Sequence, residues 1–127
     1  MDASEFLRLY RSGRKTFANV VMVGIELNNI DLHKVDFSHA LMNKASLAGT
    51  KLCRANLVGA DLSYANLSDA DLHRANLRHA NLKGADLRRT DLRDADLRGA
   101  NLSWANLQGA LLVGALMTNT NLYNVKK

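Results

Sequence analysis

The sequence contains no proline and a single cysteine, Cys53, and only 6% of its 127 residues are aromatic. One thiol cannot form a disulfide within the chain, and the opening MDASEFLRLYRSGR lacks the apolar run of a secretory signal peptide, so a cytoplasmic protein is expected. Long hydrophobic runs are missing too. The longest, FANVVMVGI, is too short to span a bilayer. The length allows one domain and argues against separate catalytic and regulatory halves. What is present is ordinary in amount: 47% hydrophobic and 23% charged residues, too apolar for a disordered chain. Its distribution is biased, because alanine, leucine, asparagine, aspartate and arginine crowd the middle of the chain.

Read in fives from Val20, that middle becomes ADLSY, ANLSD, ADLHR, ANLRH, ANLKG, ADLRR and so on, and the frame holds without insertion through Asn124, giving 21 pentapeptides. The central residue is Leu in 17 of them, Met at Met22, Met42 and Met117, and Phe at Phe37. Two residues before it stand Ala in 14, Thr in three and Val or Ile in four. Propensity alone favours helix, since Ala, Leu, Arg and Lys are strong helix formers. Geometry excludes it. At about 100° per residue, successive central leucines would lie about 140° apart and scatter around the helix instead of forming a stripe. A continuous strand fails as well, because an odd period sends alternate leucines to opposite faces.

The chain must therefore turn within every repeat. In a short extended segment followed by a bend, Ala and the central residue point inward and the Asp or Asn between them points out. The expected core ladder comprises Leu47, Leu52, Leu57, Leu62, Leu67, Leu72, Leu77, Leu82, Leu87, Leu92, Leu97, Leu102 and Leu107. The fifth slot holds seven of the eight glycines, together with Asn29, Asn119, Asn124, Asp69 and Asp94, residues that tolerate positive φ in turns. A chain bending every five residues winds into a coil whose stacked segments pair as parallel ladders about 4.8 Å apart.

Tandem A(D/N)LXX over about five sixths of the chain resembles the pentapeptide repeat family. The resemblance implies an all-β, right-handed quadrilateral β-helix with four repeats per coil, hence about five coils and a rod about 25 Å long. Val21, Leu41, Lys51, Leu111 and Leu116 depart from the pattern where Asp or Asn is usual. Three segments are expected: a capping helix over 1–14, with Asp2 at its start, Glu5 three residues on and Gly13 at its end; the β-helix over 15–124; and a tail over 125–127. The opening EFLRLYRSGRKTF is similar to the start of cyanobacterial members.

No catalytic or cofactor motif is evident, the glycines never forming GxGxxG, so neither an enzyme nor a cofactor is expected. Stacking four repeats per turn places His33, Cys53 and His73 in one column. The histidines would be about 10 Å apart there, too far for a tetrahedral metal site, and the column reads as polar surface. The seven Asp and seven Asn flanking the core read as acceptors for neighbouring turn amides.

Family members that act on DNA gyrase are thought to imitate duplex DNA with negative faces. This chain carries a formal charge of +5, the wrong sign for such mimicry. A basic stripe of Lys34, Arg54, Arg74, Arg78, Arg93 and Arg98 suggests polyanion binding, with a solvated face as the plain alternative. Leu111, Val113, Leu116 and Tyr123 put apolar groups outward on the last coil and mark a possible homodimer end, guarded in a monomer by Lys126 and Lys127. Repeat solenoids bind through extended surfaces, so the leading expectation is a non-enzymatic regulatory or scaffolding module with a protein partner; nucleic acid is the alternative.

Overall fold

The computed structural model describes all 127 residues. Asp2 starts α1, Ala3–Arg11: its side chain accepts the Glu5 N–H at 2.8 Å. Glu5 in the first turn and Arg8 and Arg11 in the last place each charge where the helix dipole favours it. Phe6, fully buried on this helix, packs its ring 4.6 Å from that of Phe17 and 5.6 Å from that of Phe37. Leu7, Leu9 and Tyr10 lie partly buried around it. In this way α1 covers the open end of the first coil.

From Thr16 onward the chain forms parallel rungs between residues twenty apart, beginning with Thr16 and Asp36 and ending with Asn106 and Lys126. Twenty residues are four pentapeptides, so four repeats complete each turn. The ladder takes in Lys15 to Asn19 ahead of Val20, and at the far end Lys126 donates to the Ala105 carbonyl and accepts from the Leu107 N–H.

Within one repeat every backbone N–H finds a partner, as the Ala55 to Gly59 segment illustrates. The Ala55 N–H closes a β-turn on the Leu52 carbonyl, Asn56 donates back to Val35 in the previous coil, and Leu57 and Gly59 donate forward to Asn76 and Arg78. Only the Val58 N–H is left without a backbone acceptor, and the Asn56 Oδ1 takes it at 3.1 Å. The same bond is made by all fourteen Asp and Asn residues at this position, at 2.9 to 3.2 Å. The A(D/N)LXX pattern is thus a complete accounting of backbone donors. Where Ser46 replaces the acceptor, Asn28 of the preceding coil supplies it, accepting from the Ala48 N–H at 2.9 Å and from the Ser46 hydroxyl at 2.8 Å.

All thirteen leucines of the expected ladder are buried, with the alanines that precede them packed alongside in one continuous core. Thr50 and Thr90 enter that core because their hydroxyls are satisfied, donating to the Leu47 and Leu67 carbonyls at 2.6 and 2.8 Å. The turn residues, every fifth one from Asn19 to Asn124, all have positive φ. Lys34, Arg54, Tyr64, Arg74, His79, Arg89 and Trp104 adopt this left-handed conformation alongside the Gly, Asn and Asp that the sequence singles out for it.

Candidate functional site

Each repeat displays three outward side chains: the residue before the central one, the residue after it, and the turn residue. Because the backbone repeats every twenty residues, these stack into columns, and a surface is defined by which columns adjoin.

Lys34, Arg54 and Arg74 occupy one turn column, held in register by their N–H bonds to the Cys53, His73 and Arg93 carbonyls at 2.9 to 3.0 Å. None of the three forms an ion pair, nor does Arg78, whose backbone N–H is held by Asn76 at 3.2 Å. The other two members of the expected stripe differ. Arg93 binds Asp91 through two parallel hydrogen bonds of 3.0 and 2.8 Å, and Arg98 binds Asp96 likewise at 2.9 and 2.7 Å. Arg88 and Asp86 repeat the arrangement, and Arg89 reaches back one coil to Asp69 at 2.7 Å. The stripe therefore separates into a free column of cations and a set of arginines already neutralised.

The sequence signal for that pairing is Asp-Leu-Arg. Its first and third residues both point outward on one side of a buried leucine, so the bidentate fork needs no long-range fold to bring the charges together. Counting bases and acids without their spacing misses it. Each guanidinium holds its partner carboxyl below the usual range by hydrogen bonding to it, Arg88 for Asp86, Arg93 for Asp91 and Arg98 for Asp96, against an opposing effect of partial burial.

The column of His33, Cys53 and His73 forms as the spacing predicts. Its histidines turn to carboxylates: Nδ1 of His33 lies 2.8 Å from Asp31, and Nε2 of His73 lies 3.5 Å from Asp94. At the far end Leu111, Val113, Leu116 and Tyr123 are all exposed, Val113 most of all at 79%.

Glycine has a second role beyond its φ. A Cβ at Gly59 would collide with the His39 ring, at Gly84 with the Tyr64 ring and at Gly99 with the His79 ring, each from the residue twenty earlier. At these turns a side chain lies down onto the next coil, and glycine is the seat that receives it.

These features match known proteins. The family model for pentapeptide repeats matches in eight copies over residues 30–69, 40–78, 55–94, 70–107 and 95–126, and the chain belongs to this family, whose solved members form right-handed β-helices. It superposes on the crystal structure of the pentapeptide repeat protein Rfr23 from the cyanobacterium Cyanothece 51142 with a TM-score of 0.90 at 26% identity, covering 97% of each chain. A pentapeptide repeat protein of the Arabidopsis thaliana thylakoid lumen is 34% identical, with a TM-score of 0.68 over 68% of this chain and 61% of that one. HetL, a Nostoc protein involved in heterocyst differentiation regulation, shares the fold at 23% identity and a TM-score of 0.51, over 99% of this chain and 94% of that one. Among curated proteins none matches in sequence.

Proposed function

We propose that this chain is a non-enzymatic docking rod, a four-sided solenoid of about five coils that presents rigid columns of side chains to a protein partner. The observation that supports this is the donor accounting. With every N–H of a typical repeat engaged, outward side chains sit on a backbone that has nowhere to move, so a partner meets a preorganised surface and loses little entropy in ordering it. Retention of a protein from a nuclease-treated lysate by the immobilised rod, and its loss on charge reversal along a single column, is the expected result. Retention that disappears with nuclease, or survives every such reversal, counts against the reading.

A second reading, polyanion binding, is supported by the unpaired column of Lys34, Arg54 and Arg74 with Arg78 nearby. Arg54→Ala, Arg74→Ala and Arg78→Ala together should remove binding to duplex DNA at low salt while the far-ultraviolet spectrum is unchanged. Equal binding by parent and variant would leave the column as a solvated face. The exposed Leu111, Val113, Leu116 and Tyr123 support self-association at the far end. Light scattering at micromolar concentration should give a dimer mass that Leu116→Lys halves.

A further inference from the structure

The aromatic residues of the chain fall into two groups. Phe6, Tyr10, Phe17 and Phe37 cluster beneath the helix cap. The remaining three, Tyr64, Trp104 and Tyr123, lie along one edge of the rod and are 56%, 58% and 58% exposed. Tyr64 and Trp104 share a turn column two coils apart, with Gly84 between them, and the Trp104 N–H donates to the Tyr123 carbonyl at 2.9 Å from the adjoining column. The Tyr64 ring lies over Gly84, its Cε1 2.5 Å from where a Cβ would stand, so the glycine lets the ring extend along the edge toward Trp104. Trp104 meets Tyr123 edge to face, with centroids 5.9 Å apart and planes at 85°. Nothing else in the fold covers these rings, and exposed Trp and Tyr are the side chains that most often anchor an interface.

Spacing, free donors and charge indicate what would lie there. Two coils advance about 9.6 Å, close to the roughly 9.3 Å of one three-residue turn of polyproline II helix. A segment in that conformation, laid along the edge, would present the same side to the Tyr64 ring and to the Trp104–Tyr123 pair, the mode by which aromatic-lined surfaces take proline-rich chains. Such a chain has free carbonyls. Tyr64, Trp104 and Lys83, which belong to these two columns, carry a hydroxyl, an indole N–H and an ammonium as donors. Lys44 precedes Tyr64 in the turn column and Lys83 stands beside Gly84, and neither forms an ion pair. The turn column Gly24, Lys44, Tyr64, Gly84, Trp104, Asn124 contains no carboxylate, nor does the adjoining column Val23, Asn43, Ser63, Lys83, Ser103, Tyr123.

We propose that the edge formed by Tyr64, Trp104 and Tyr123 is a docking site for an extended, proline-rich segment of a partner protein carrying acidic residues beside its prolines. The proposal rests on the docking-rod reading and names its surface and partner class.

Trp104 is the only tryptophan, so its emission reports on the site directly. Titration with a short synthetic peptide of prolines interrupted by glutamates should give a saturable blue shift. Tyr64→Ala should weaken that binding about tenfold or more, and Gly84→Ala, which unseats the Tyr64 ring, should weaken it too, with circular dichroism confirming that both variants fold. Replacing the glutamates by lysines should weaken binding to the parent, and Lys44→Glu with Lys83→Glu should reverse that preference. No saturable shift at millimolar peptide, an equal affinity in Tyr64→Ala, or a shift given by a linear glucan or a single-stranded oligonucleotide in place of the peptide would each overturn the proposal. A lysate protein held equally by the parent and by Tyr64→Ala with Trp104→Ala would overturn the edge while leaving the docking rod standing.

Discussion

At the scale of single residues, Lys34, Arg54, Tyr64 and Trp104 hold φ between 59° and 66°, the same conformation as Gly24 at 69° and Gly59 at 65°. A left-handed turn costs an L residue about 1 to 2 kcal/mol, and this chain bears that at many turns. What a side chain would meet in place of a turn glycine depends on the residue one coil earlier. Gly24 has nothing within 4 Å of its Cβ direction, whereas at Gly59 the His39 ring fills the space. Gly24→Ala should therefore cost about 1 kcal/mol, and Gly59→Ala more. Adding His39→Ala to Gly59→Ala should bring the cost back toward that of Gly24→Ala, a non-additivity that a double-mutant cycle by chemical denaturation would reveal. The fifth slot is legible in the sequence through its Gly, Asn and Asp. The seating of side chains on glycine is not, because it depends on a neighbour twenty residues away whose proximity only the coil creates.

At the scale of one pentapeptide, the outward Asp or Asn is an acceptor first and a charge second. Asn56→Asp keeps the bond to the Val58 N–H and should be nearly neutral. Asn56→Ala strands that donor and should cost about 1 kcal/mol, measurable as a shift in the denaturation midpoint. The three Asp-Leu-Arg pairs add a pH dependence. Their carboxyl pKa values are depressed in the fold, so the stability each pair contributes is present above the ordinary carboxylate value of about 3.9 and is lost as pH falls through the lower folded one. With Asp86→Asn, Asp91→Asn and Asp96→Asn together, the amide acceptors remain and the acid-induced fall in melting temperature below about pH 4 should become shallower. The same variant frees three arginines, so it should bind a polyanion more tightly and with a steeper salt dependence.

At the scale of the whole molecule, stability is carried by a core two side chains wide in each repeat, mostly one leucine and one alanine, and continuous along the rod. Leu77 lies near its middle, fully buried, and Leu77→Ala should cost about 2 to 5 kcal/mol by opening a cavity that neighbouring coils, pinned by their ladders, cannot close. Solenoids gain stability from contacts between neighbouring units. The cap matters for the same reason: Phe6 shields the rings of Phe17 and Phe37, which would otherwise form an open apolar end.

The amino-acid sequence alone determined the period, the inward and outward positions, the turn slot and the leucine ladder, because each is a local consequence of residue types recurring every five places. Even the acceptor role of the Asp and Asn residues is readable, since the amide they bind lies two residues away. Tertiary structure decided which outward residues stand beside one another, and with that which surfaces the rod presents. It stacked Lys34, Arg54 and Arg74 into one column without an ion pair and carried Arg89 to Asp69 one coil back, whereas the pairs of Arg93 and Arg98 with aspartates two residues away are local. It also brought Tyr64, Trp104 and Tyr123, separated by forty and nineteen residues, onto one edge. The physical reason is the coil itself: residues twenty apart become neighbours only when four repeats close one coil, so contacts such as Arg89 with Asp69 and the Tyr64 ring over Gly84 exist only in the folded rod.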